Sequence, residues 1–235
     1  MRAAQTTCFH EADPALSLAR RAGVEALGTM LLVLAASGGG IAASRLLSAA
    51  PGALLPVVAI VLAGALVSLI VAFGAVSGGH FNPLITVLQW LARERGGACA
   101  AAYVAAQLAG GAIGGRAAAV LWNVAPPAPG GLGWGGTAGE LVASAGLMLV
   151  VFGCARSGRT STGPLAVGAW LIAAVIAFPT TSYANPAVVL GALVTAGPLS
   201  LGLGSALPYV VGEIGGALLA LLLVLVLMPR TGAEA

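Results

Sequence analysis

The residues best suited to handle a polar molecule are two asparagines placed where asparagine is costly. Asn82-Pro83 lies in "SGGHFNPLITVLQWL", Ser77 to Leu91, and Asn185-Pro186 lies in "TTSYANPAVVLGALV", residues 180–194. In both, small or polar residues lead to Asn-Pro and an apolar run follows. Proline in the first helical turn loses no hydrogen bond, because that N–H would be unpaired anyway. Asparagine before it is a preferred N-cap whose side-chain oxygen accepts from the first free N–H groups. The amide NH2 then remains to donate to a passing molecule. The chemistry on offer is exchange of hydrogen bonds, not the making or breaking of covalent ones.

Other polar residues are set among apolar neighbours: Glu25, Glu140 and Glu213, with His80 just before the first Asn-Pro. A carboxylate within a membrane span is a proton-relay candidate unless it is hydrogen-bonded. "GCARSGRTS", residues 153–161, has the outline of a phosphate-binding loop, but its spacing is Cys-x4-Arg, one short of Cys-x5-Arg. The three cysteines, Cys8, Cys99 and Cys154, are far apart and form no CxxC pair, so neither a disulfide framework nor a zinc site is expected. No nucleophile–base pair or metal cluster is legible; no catalytic residue, metal or cofactor is expected, and the chain does not read as an enzyme.

The elements that must position these residues follow from composition. Of 235 residues, 59% are hydrophobic and 7% charged, with a mean hydropathy of +1.03. Soluble surfaces need far more charge than that. The chain reads as an all-α integral membrane protein embedded in the lipid bilayer, with spans over about 22–43, 55–76, 98–121, 138–155, 163–179 and 205–228. Two further apolar pieces, 83–92 and 186–196, cover only ~15 Å each, half of a ~30 Å hydrocarbon core. The order is therefore three spans and a half-span, twice. The net charge of +3 comes from arginine without lysine and is no nucleic-acid footprint. Arg20, Arg21, Arg93, Arg95, Arg156, Arg159 and Arg230 all fall on one side, which the positive-inside rule makes cytoplasmic. Residues 1–21 read as a short cytoplasmic tail rather than a targeting peptide, 22–230 as one domain, and 231–235 as a C-terminal tail.

The halves, about 22–121 and 138–228, match. Glu25 with Gly28-Thr29 corresponds to Glu140 with Ala143-Ser144, and "YVAAQLAGG" (103–111) to "YVVGEIGG" (209–216), which sets Gln107 opposite Glu213. Three spans per half force opposite orientations, the inverted-repeat pattern in which broken helices place a solute site near the midplane. Non-helical backbone at that depth must be buried in protein or line a water-filled path. Two positive helix ends would converge there and disfavour cations. Loop carbonyls from Gly78, Gly79 and His80, and from Thr181, Ser182 and Tyr183, would offer a ladder of acceptors. Two functions fit: a passive channel for small neutral solutes, or a proton- or ion-coupled inverted-repeat transporter using Glu25, Glu140 and Glu213.

Over nearly its whole length the sequence resembles the aquaporin, or major intrinsic protein, family. The resemblance is carried by "VEALGT" (24–29), "SGGHFNP" (77–83), "AQLAGG" (106–111) and "ANPAV" (184–188). It implies an aquaporin-like fold of six spans plus two re-entrant half-helices in an inverted repeat, assembled as a homotetramer with one pore per subunit. It assigns the pore motifs to Asn82, Pro83, Leu84 and to Asn185, Pro186, Ala187. It assigns loop bracing to Glu25 and Glu140, and a pore-lining or loop-bracing place to His80. Leu84 replaces the family's usual alanine. Val188 replaces the arginine that usually follows the second motif. The constriction that this arginine helps to line corresponds to Leu62, Ala174 (or its neighbour Ala173), Ser182 and Val188. Without a fixed cation and with small side chains, the resemblance implies a widened filter. It would pass water, glycerol, urea or undissociated metalloid hydroxides such as arsenite, and leaves the two helix ends to oppose ions. "ANPAV" resembles a bacterial branch associated with arsenic resistance, in the inner membrane with both termini cytoplasmic. Two residues stay outside this scheme. Arg116, inside the third span, either snorkels outward or pairs with a polar group. Glu213 either pairs with Arg116 or faces another subunit.

Overall fold

The structure, a computed structural model, describes residues 8–13, 15–125 and 135–228; Arg230 and the 231–235 tail lie outside them. Helix α1 (Leu18–Leu46) begins where the Ser17 hydroxyl accepts from the Arg20 N–H, so it starts inside the stretch expected to be tail. A single 3-10 turn, Pro51–Ala53, leads into α2 (Leu54–Ser77), which ends at left-handed Gly78. Then come α3 (Pro83–Leu91), α4 (Gly97–Leu121), α5 (Gly135–Arg156), α6 (Gly163–Ala177), α7 (Pro186–Val194) and α8 (Leu203–Leu227). No strand occurs among the described residues.

Among the described residues, five helical stretches are long and apolar enough to cross a membrane: α1, Pro51–Ser77, α4, Gly136–Arg156 of α5, and α8. The remaining expected span, 163–179, is shorter than the sequence suggests. Helix α6 has 15 residues and stops at Ala177 because Phe178 takes an extended conformation before Pro179. The half-helices α3 and α7 have nine residues each.

The inverted repeat is visible in the packing: α1 lies on α4 and α5 on α8, while α4 also carries α7 and α8 carries α3. Glycine permits these approaches. A Cβ on Gly110 or Gly114 would stand 2.2 or 2.3 Å from the Ala26 or Met30 carbonyl oxygen of α1. On the next face of α4, a Cβ on Gly111 or Gly115 would stand 2.2 Å from the Ala187 or Gly191 carbonyl oxygen of α7. In the second half, Gly212 and Gly216 serve α5 in the same way, at 2.3 and 2.1 Å from Thr137 and Leu141. Thus "AQLAGG" and "YVVGEIGG" are contact surfaces. Backbone meets backbone there, so a side chain cannot swing aside to make room.

This makes glycine position-specific. Gly111→Ala is expected to destabilise the protein by about 1–3 kcal/mol through overpacking. Gly23→Ala, at an exposed position with open space around it, should be neutral or stabilising by up to ~1 kcal/mol from helix propensity. Thermal unfolding midpoints of the two variants in detergent check the contrast; equal midpoints would refute it.

Candidate functional site

Each half-helix starts on its asparagine. Asn82 Oδ1 accepts from Leu84 N–H at 2.9 Å and Asn185 Oδ1 from Ala187 N–H at 3.0 Å. The side-chain nitrogens are not wholly free, as capping alone would leave them. Asn82 Nδ2 donates to the Ala184 carbonyl and Asn185 Nδ2 to the Phe81 carbonyl, each at 2.8 Å. The two loops are therefore cross-tied reciprocally and the two helix N-termini held side by side. Each amide has two N–H groups, so each keeps one that this cross-tie does not use.

The loops themselves are backbone in unusual conformations. Positive φ occurs at Gly78, Gly79 and Phe81 in the first and at Thr181, Ser182 and Ala184 in the second. Buried carboxylates hold them. Glu25, from α1, accepts four bonds: Ser77 Oγ–H at 2.6 Å and His80 N–H at 3.1 Å on Oε1, Phe81 N–H and Gln107 Nε2–H at 2.7 Å on Oε2. Glu140, from α5, accepts from the N–H groups of Tyr183 at 3.0 Å and Ala184 at 2.7 Å. Glu213, from α8, accepts from the Asn185 N–H at 2.8 Å. So Glu213, wholly buried, is a third brace, and it does not pair with Arg116, which is exposed on α4. The carboxylates take N–H groups, which turns the peptide planes and directs the intervening carbonyls.

Among the described residues two adjoining cavities share three lining residues, Leu62, Tyr183 and Val188. The larger has about 460 Å³ of space between atoms, open solvent at its mouth included, and touches both Asn82 and Asn185. His80 lines it too, and its ring is fixed by Thr86 Oγ1 at 2.8 Å and the Phe9 carbonyl at 3.0 Å. Beyond the shared residues the second cavity is lined by Ser37, Val58 and Thr181. Of the residues assigned to the filter from sequence, Leu62 and Val188 stand where the cavities meet. Ala174 and Ser182 are buried, each about 1% exposed, and Leu171, one turn before Ala174, lines the larger cavity. Pro83, Leu84, Pro186 and Ala187 form the first turns of α3 and α7. Sequence reasoning missed Leu66 and Ile70 of α2, Val167 and Leu171 of α6, and Phe9, all of which line the wall. No Asp, Glu, Lys or Arg lines either cavity among the described residues, and the three carboxylates are committed to the loops.

If bracing is what these carboxylates do, Glu140→Ala should orphan two buried N–H groups at about 1–3 kcal/mol each, whereas Glu140→Gln keeps an acceptor and should lose less. Unfolding midpoints in detergent rank wild type above Glu140→Gln above Glu140→Ala; a glutamine variant as weak as the alanine would refute the ranking.

The geometry can be set beside known proteins. The family profile described as Major intrinsic protein matches residues 14–183. The chain is 38% identical over 214 residues to "Aquaglyceroporin AqpS" of Rhizobium meliloti (strain 1021), covering 88% of this chain and 89% of that one. It is 30% identical over 237 residues to "Probable aquaporin AqpM" of Archaeoglobus fulgidus, covering 87% and 95%. A shorter stretch of 78 residues, 33% of this chain and 23% of the other, is 42% identical to human Aquaporin-4. Similarity over most of the chain, paired half-helices and braced loops agree: this chain belongs to the major intrinsic protein family.

Proposed function

We propose that the protein is a passive membrane channel for small neutral solutes, passing water and glycerol and also undissociated metalloid hydroxides such as arsenite. Family membership and the names of the aquaglyceroporin and aquaporin relatives support a channel for water or glycerol. The observation that carries the wider range is Val188. At the junction of the two cavities stand Val188, Leu62 and Tyr183, with no fixed cation. An arginine there would bring a permanent charge and up to five donors. A valine leaves the junction to size and apolar walls, with the two asparagine amides in the larger cavity beside it.

A neutral trihydroxide or polyol can trade water hydrogen bonds for the remaining Asn82 and Asn185 N–H groups. A cation meets the adjoining positive ends of α3 and α7 without anionic ligands to compensate. The carboxylates that a proton-coupled transporter would use are engaged with loop N–H groups. The arginines on the face of Arg93, Arg95, Arg156 and Arg159 support an inner-membrane orientation with that face and both termini cytoplasmic. A homotetramer follows the family habit.

Stopped-flow light scattering on proteoliposomes tests this: water, glycerol and arsenite should each cross faster than in protein-free vesicles, and no excess for any of them would overturn it. Val188→Arg should cut glycerol and arsenite flux about tenfold, which needs only ~1.4 kcal/mol of added barrier, while sparing water more. Equal losses would remove Val188 from the selective junction.

A further inference from the structure

The lining of the larger cavity includes a residue of the N-terminal segment that the helical framework does not supply. Phe9 lines it together with Leu66, Ile70, His80 and Ile85, and is 4% exposed. Its carbonyl receives His80 Nε2 at 3.0 Å and Gln89 Nε2–H at 2.9 Å, two buried side chains from the first re-entrant segment. Nearby, Glu11 bridges Arg21 of α1 and Arg95 of the α3–α4 turn, the latter at 3.0 Å. Ala12 N–H donates to the Ala75 carbonyl of α2 at 2.8 Å. Cys8 lies against Gly163 at the start of α6, where a Cβ would come within 2.4 Å of its sulfur. Cys8, Phe9, Glu11 and Ala12 thus tie this short segment to α1, α2, α3, the α3–α4 turn and α6.

Phe9 has φ +64°, a left-handed conformation that a bulky L residue avoids. Such strain persists where the surroundings over-determine it and clusters at functional positions. The charges around Glu11 point the same way. Burial pushes its carboxyl up, but a backbone hydrogen bond and the Arg95 and Arg21 guanidiniums outweigh this and hold it below the usual carboxylate range. Burial likewise pulls Arg95 down, while Cys99 and Glu11 more than restore it.

We propose that Cys8–Asp13 forms the permeation-limiting mouth of the passage, with Phe9 as the side chain that sets its opening and the Glu11–Arg21–Arg95 group as its anchor. The proposal rests on the passive-channel reading and adds a selective element from outside the membrane spans. It makes the N-terminal segment a wall of the conduit rather than a solvated tail.

Two readouts separate it from that reading. In proteoliposomes with the face of the N-terminal segment accessible, Ile70→Cys reports entry of a small hydrophilic methanethiosulfonate, with the adduct at position 70 measured by mass spectrometry. Adding Phe9→Ala, or Glu11→Gln should the alanine variant not fold, is expected to speed labelling about tenfold, as for loss of one well-packed or charge-assisted contact. Glycerol flux, measured without the reporter substitution, should rise several-fold. Labelling at an unchanged rate in both variants would overturn the mouth. Faster labelling in a protein that conducts no solute would keep the mouth and overturn the channel.

Discussion

Everything in this molecule depends on satisfying backbone N–H groups where no water can. Residues 78–82 and 178–185 leave the helical path at membrane depth, and lipid tolerates that only if each polar group finds a partner. Glu25, Glu140 and Glu213 provide it, each reaching from a long helix into a loop. An isolated buried carboxylate would be costly; here Glu25 accepts four bonds, Glu140 two and Glu213 one, which lowers the cost of carboxylates and donors alike. The loops are then rigid, and the asparagine amides at their ends have fixed directions.

Rigid loops still need room. The glycines of α4 and α8 bring whole helices within backbone contact, so that α7 fits against α4 and the carboxylates of α1 and α5 come within reach of the loops. The two halves solve this alike but not identically. Gln107 donates to Glu25 and to Thr86, while its counterpart Glu213 accepts the Asn185 N–H directly. The second loop is therefore held by carboxylates from two helices, the first by one carboxylate that the Gln107 amide steadies.

Much of this was legible in the sequence because it is local chemistry. Asn-Pro ahead of a short apolar run specifies a capped half-helix within four or five residues, and α3 and α7 start where that pattern says. Span lengths were less legible: Pro179 lies in the apolar run, yet its effect on Phe178 ends α6 at Ala177. Depth along a helix was harder still: Leu171 on the cavity wall and buried Ala174 share a face of α6 one turn apart. The partner of Glu213 could not be read at all, because the bond to Asn185 spans 28 positions and depends on which face of α8 meets the loop. Phe9 gave no signal, since a short irregular segment has no periodicity to show what it packs on.

The reciprocal tie between Asn82 and Ala184, and between Asn185 and Phe81, has a consequence for how the chain is made. Synthesis runs from the N-terminus, so Asn82 enters the bilayer a hundred residues before the carbonyl that will receive its amide exists. Until the second loop arrives, the Phe81 carbonyl and the Asn82 amide nitrogen lack these partners. The first half is thus a waiting partner rather than a finished module. Ribosome pausing or slow insertion of the second half extends the interval in which a translocon or chaperone must shelter it.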